Sequence, residues 1–143
     1  MKHETYLLIR NNHAIIDELL ATAERTLPEQ QTAASEVADL LDRLQQHVTA
    51  RFQEEVENEL FNSLIAMAPR LQHAIDLLRQ DHEQLLKLLN TLCEQAKSEN
   101  LGRQERDALE QMFQKFSDLY NAHEQREQDL ILAAYDDDLG RGD

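Results

Sequence analysis

Tryptophan is absent from the 143 residues, cysteine occurs once, and there are only two prolines and three glycines. Each scarcity excludes something. Cys93 alone cannot close an intrachain disulfide, which fits a reducing compartment. Without paired cysteines, neither a structural zinc site nor an iron–sulfur cluster has its usual ligands. Long apolar runs are also missing. The opening "MKHETYLLIRNN" holds a four-residue apolar stretch, too short for a signal peptide or a membrane span, so a soluble cytoplasmic protein is expected. Basic residues are few, 14 against 28 acidic ones, for a net charge of −14. Such a surface repels phosphate backbones and anionic lipids, which argues against nucleic-acid and membrane partners, and it attracts cations.

What the chain does contain is helical. Leu, Ala, Glu and Gln are abundant, and little interrupts them. Pro28 in "TLPEQQTAAS", Pro69 in "AMAPRL" and Gly102 in "KSENLGRQ" divide the chain into four segments. Helices are expected near 4–26, 33–67, 69–98 and 103–135, although Thr26 and Glu29 have a capping-box spacing that would start the second earlier. Short connections between long amphipathic helices favour antiparallel neighbours. The expected fold is all-α, an up-down-up-down antiparallel four-helix bundle spanning 1–135, with the acidic "DDDLGRGD" of 136–143 as a tail outside it.

Every apolar stripe on these helices is broken by polar residues. The last helix runs Leu109, Met112, Phe116, Leu119, then His123 and Glu127, before Leu130 and Ala134 resume. The third runs Leu71, Ile75, Leu78, His82, Leu85, Leu89, Leu92; the first, Tyr6, Ile9, His13, Ile16, Leu20. The second runs Leu41, Leu44, Val48, Arg51, Glu55, Asn58, Asn62, Ile65. The first and second halves of the chain thus echo each other faintly, each a helix pair with polar interruptions at matching places.

A single histidine on an apolar face is ordinarily a hydrogen-bonded core residue. Three of them, each in mid-helix and in register with its stripe, demand another account. Burying an uncompensated carboxylate such as Glu55 or Glu127 costs several kcal/mol. A metal ion inside the bundle would answer both facts. Residues i and i+4 stand about 6 Å apart along a helix and point the same way, so a His and a Glu at that spacing reach one dinuclear site. Two metals in such a site lie roughly 3.5–4 Å apart and can share a carboxylate. Mixed imidazole and carboxylate ligands suit iron, manganese or zinc. One HxxxE is a weak signal by itself; repeated interruption of all four stripes strengthens it.

These residues resemble the hemerythrin-like (HHE cation-binding) domains. The family pattern is a His on the first helix, HxxxE on the second, a His on the third and HxxxE on the fourth. The stretches "RNNHAIIDELL", "LLRQDHEQLLKLL" and "HEQREQDLILAAY" carry the likeness over about residues 5–135. By this resemblance His13, His82, His123 and Glu127 are metal ligands, and the cofactor is iron in a non-haem di-iron centre, with manganese or zinc as other possibilities. The implied partner is a small diatomic ligand, O2 or nitric oxide, or the iron being sensed.

The second helix departs from the pattern. In "RFQEE", Glu55 holds the carboxylate place, but Arg51 stands where the resemblance asks for histidine. Register supports this alignment: His82 to His123 is 41 positions and His13 to Arg51 is 38, whereas His13 to His47 is 34. His47 is also eight residues from Glu55, about 12 Å along a helix, too far for both to hold one metal. Arginine carries a permanent charge and no lone pair to donate. Pointing inward, Arg51 would satisfy Glu55 or Glu127 and weaken or replace one metal position; pointing outward, it would be a solvated residue on a drifting stripe. Asp17 and Glu54 are potential substitutes, more simply read as charged-face residues. His3 and His73 fall off the stripes, Cys93 reads as a packed thiol, and Tyr6 as a cap on the core.

Three functions follow. The favoured one is a binding or sensing module with an iron centre whose ligand set is incomplete at Arg51. The second is a metal-free scaffold in which Arg51 ion pairs have displaced the metal. The third is a di-iron oxidase or peroxidase, for which no substrate pocket is legible.

Overall fold

The computed structural model describes the backbone of residues 3–57, 59–98 and 101–142 and the side chains of 14–56, 59–98 and 101–136. It contains α1 (His3–Thr26), α2 (Ala34–Glu57), α3 (Leu60–Met67), a short 3₁₀ turn (Pro69–Leu71), α4 (Gln72–Ala96) and α5 (Arg103–Gly142). Among the described residues there is no strand. Three of the four expected helices are present close to their expected limits, except that α5 continues past 135 as far as Gly142. Pro69 opens the turn into α4, where a missing N–H costs nothing.

The expected helix over 33–67 is two helices. Glu59, between α2 and α3, has φ 54° and ψ 33°, the left-handed region that side chains disfavour. The sequence contains the physical reason. Leu60 and Phe61 follow Glu55 by five and six positions, so an unbroken helix would turn them away from the face that buries Glu55. The break resets the register. Leu60, Phe61 and Leu64 are buried, while Asn62, expected to face inward, is exposed.

α1 packs on α2, α2 on α4, α4 on α5, and α5 also meets α1 and α3. The 3₁₀ turn and α4 bury every expected residue: Leu71 in the turn, and Ile75, Leu78, His82, Leu85, Leu89 and Leu92 on α4. The buried face of α5 is broader than expected. Phe113, Tyr120 and Glu124 are buried, whereas Leu119 is 46% exposed. Arg106 closes the bundle end near the α1–α2 connection, donating to the carbonyl oxygens of Thr32 at 2.5 Å and Glu29 at 2.8 Å.

The core has two apolar parts. The larger gathers Ile16, Leu41, Leu44, Val48, Leu89 and Phe113 with their neighbours from α1, α2, α4 and α5. The smaller joins Leu60, Leu64, Ile75, Leu78 and Ile131 from α3, α4 and α5. Along α2, α4 and α5, the residues between these parts are polar and buried.

Candidate metal centre

Three helices deliver the polar layer. α2 supplies Arg51 and Glu55 one turn apart, α4 supplies His82, and α5 supplies Tyr120, His123, Glu124 and Glu127; all seven are buried. Of the expected ligands, Glu55, His82, His123 and Glu127 therefore meet in one place. The side chain of His13, on α1, lies outside the described residues, as do those of His3 and Tyr6. Asp17 and His73 are exposed, and Glu54 and His47 are half-buried. Cys93 is packed as expected: its thiol donates to the carbonyl of Leu41, and burial pushes its pKa up to about 11.

Arg51 lies at the centre of the layer, not on the surface. Its Nη1 donates to Tyr120 Oη at 2.5 Å and to Glu124 Oε1. Its Nη2 donates to Glu127 Oε1 at 3.0 Å and lies 3.1 Å from Glu55 Oε1. Burial opposes the guanidinium charge, but Glu127, Tyr120, Glu55 and Glu124 outweigh it and hold the pKa above its ordinary value.

The second carboxylate oxygens face the histidines. Glu55 Oε2 is 3.0 Å from His82 Nε2, and Glu127 Oε2 is 3.6 Å from His123 Nε2. His82 is held in plane by Phe52, stacked on it with ring centroids 3.8 Å apart and 6° between planes. His123 is held through its other nitrogen, Nδ1, 3.1 Å from Asp81 Oδ2, which also accepts from Arg126 at 2.6 Å. A carboxylate can only accept, so the Nδ1 proton belongs to His123 and the lone pair of Nε2 points into the layer.

Nε2 of His82, Nε2 of His123 and Oε2 of Glu127 are buried and make no hydrogen bond. One ligand atom from each of these residues lies within 4.8 Å of the others. Bonds of about 2.0–2.2 Å to one ion span ligand atoms up to about 4.4 Å apart, so the trio closes on a single cation with a sub-ångström shift. The protonation states fit too. Burial lowers the pKa of both histidines to about 4, helped at His82 by the Arg51 charge and opposed at His123 by its bond to Asp81. Both imidazoles are therefore neutral at neutral pH, the form in which a histidine can ligate a metal.

The carboxyls show the opposite strain. Burial pushes Glu55 up to about 7 against the pull of Arg51, and burial with the Glu55 charge holds Glu127 well above the carboxylate range. Both shifts mark buried negative charge that a bound cation would offset.

A family model, the hemerythrin HHE cation-binding domain, matches residues 5–135. The chain belongs to that family. Comparison with curated proteins and with solved structures returns no match. In this HHE domain, His82, His123 and Glu127 are candidate cation ligands. No helix among the described residues is long and apolar enough to cross a membrane.

Three residues of the centre escape a stripe-by-stripe reading of the sequence. Tyr120 and Glu124 follow Phe116 by four and eight positions, so a wider face on the last helix would have included both. Asp81 sits beside His82 and acts on a histidine of another helix, a pairing that no local pattern encodes. A groove of about 470 Å³ between α2 and α4 is lined by Thr49, Phe52, Val56, His82 and Leu86.

Proposed function

We propose that this HHE domain holds a redox-active divalent cation, iron foremost, at His82, His123 and Glu127, with Glu55 beside them and His13 of α1 completing the set. The centre binds a small diatomic ligand such as O2 or nitric oxide, or responds to iron itself. In this reading α1, α2, α4 and α5 form an up-down-up-down bundle within residues 1–135, and 136–143 lie outside it. The observation that carries the proposal is that His82, His123 and Glu127 each bring one ligand atom within 4.8 Å of the others, in a layer where Nε2 of both histidines and Oε2 of Glu127 are buried without a hydrogen bond. Buried polar atoms are rarely left without partners, so these three call for a common one.

Iron or manganese bound there supplies a redox-active Lewis acid; the chain's own residues prepare the place for it. Asp81 fixes the tautomer and aim of His123, and the Phe52 ring fixes the plane of His82. The apolar parts of the core on either side exclude water and strengthen the attraction between carboxylates and a cation. The groove at His82 has apolar walls in Phe52, Val56 and Leu86, suited to a small uncharged ligand.

Thermal unfolding of chelator-stripped protein, with and without added Fe(II) under anaerobic conditions, tests this. A ligand of the native state alone raises the melting temperature by mass action. We expect a rise for the native chain, a smaller one for Glu127→Ala, and a change in optical spectrum when nitric oxide is added to the iron-loaded protein. A melting temperature indifferent to chelator and metal would instead favour a metal-free scaffold. That reading has its own support in the four partners of the Arg51 guanidinium.

A further inference from the structure

We propose that Arg51, anchored by Tyr120 and Glu124, is itself the second cation of this centre, so that each chain takes one divalent metal ion and not two. The inference rests on the cation site proposed above and concerns how many ions it accepts.

The orientation of the carboxylates is the first argument. Glu55 and Glu127 each turn Oε1 to the Arg51 guanidinium, at 3.1 and 3.0 Å, and Oε2 to a histidine, at 3.0 Å from His82 and 3.6 Å from His123. A carboxylate bridging two metals would likewise give one oxygen to each. Here one of the two positive partners is a guanidinium. It has five N–H donors, no lone pair and no accessible deprotonated form, so it neither ligates a metal nor yields its charge to one.

The anchoring is the second. Tyr120, Glu124 and Glu127 lie at i, i+4 and i+7 on α5, one continuous face, and all three bond the guanidinium. Glu55, one turn from Arg51 on α2, adds a fourth partner. Tyr120 and Glu124, outside the ligand trio, both hold the arginine in the layer.

The charge balance is the third. Asp81 is offset by Arg126, at 2.6 Å. Arg51 brings a fixed positive charge to 3.1 Å from Glu55 and 3.0 Å from Glu127, the two carboxylates that also face the histidines. A second divalent ion at those carboxylates would lie against that charge, and like charges repel strongly in a buried, low-dielectric layer.

The test is titration of metal-free, full-length protein with Mn(II), measuring bound ion by equilibrium dialysis and its electron paramagnetic resonance spectrum. The native chain should saturate at about one ion per chain, with the spectrum of an isolated ion. Arg51→His should take up about two ions per chain and show the broadened spectrum of a spin-coupled pair, whereas Arg51→Lys, which retains the charge, should stay at about one. Two ions in the native chain would overturn the inference and leave the cation-binding reading intact. No ion in the native, folded chain would overturn both. A folded Arg51→His chain that still takes one ion would remove Arg51 from the role. Should that variant fail to fold, the stoichiometry and spectrum of the native chain still decide between one ion and two.

Discussion

Around Leu44 and Leu89 the core is apolar on every helix that faces it. Two turns along α2 from Leu44, around Arg51, six ionisable side chains are buried together: Arg51, Glu55, His82, His123, Glu124 and Glu127. The larger apolar part is held by area and shape, neither of which depends on pH or dissolved ions. The polar layer is held by a balance among one guanidinium, three carboxyls and two histidines, which a proton or a cation can shift. The smaller apolar part, around Leu64 and Ile131, keeps that balance away from solvent on the other side. One bundle thus combines a region that is stable whatever is bound with a region whose stability depends on what is bound.

The largest effect should come from removing the layer's fixed charge. Arg51→Met in chelator-treated protein takes from Glu55 and Glu127 the buried guanidinium they share, and breaking such a pairing costs about 3–5 kcal/mol. Urea unfolding should show this loss, and added Mn(II) should restore part of it. A variant as stable as the native chain would mean that the layer does not depend on its arginine.

Next in size is a change confined to the apolar part. Leu89, fully buried, should cost about 2–5 kcal/mol as Leu89→Ala. The loss should be the same with chelator or metal, since no charge is involved. A loss that changed on adding metal would show that the two regions are not independent.

A smaller, pH-dependent effect separates them further. Glu55 is raised in the folded chain from 4.5 to about 7, so its contribution to stability is present at low pH and lost as pH rises through that window. His82 and His123 are lowered from 6.5 to about 4, so theirs is present above 6.5 and lost as pH falls towards 4. Metal-free protein should therefore melt at a lower temperature at pH 8 than at pH 6, and lower again below pH 4, with bound metal flattening the alkaline fall. Differential scanning calorimetry across that range would show it. No change between pH 6 and pH 8 would contradict the raised carboxyls.

The smallest effect belongs to the break between α2 and α3. Glycine accepts the left-handed backbone of Glu59 without a Cβ clash, though its unfolded chain is more disordered. Glu59→Gly should stabilise by less than about 1 kcal/mol and leave metal uptake unchanged. Destabilisation in urea would mean that the Glu59 side chain, not its backbone, is what matters there.

How much was legible differs by helix. The α4 stripe was readable residue by residue, His82 included, because one narrow face meets its neighbours. On α5 the histidine and glutamate are readable, but the stripe puts Leu119 where Tyr120 is buried, since α5 touches three helices and buries a wider face than one stripe. On α2 the pattern continued through Asn62, whereas the chain broke to bury Leu60 and Phe61; local periodicity cannot weigh the gain at a distant helix against one strained residue.

By itself the sequence determined the helical class, the acidic surface, and the residues His82, His123, Glu127 and Glu55 as interruptions of a core, because each depends on composition or on spacing within one helix. It also marked Arg51 as the odd residue of the pattern. What only the tertiary structure decided was that Arg51 faces inward and what it faces. Its partners Tyr120, Glu124 and Glu127 lie 69, 73 and 76 positions away, on another helix. A charge balance shared among three helices exists only once they have packed together, since none of them carries compensating groups enough of its own.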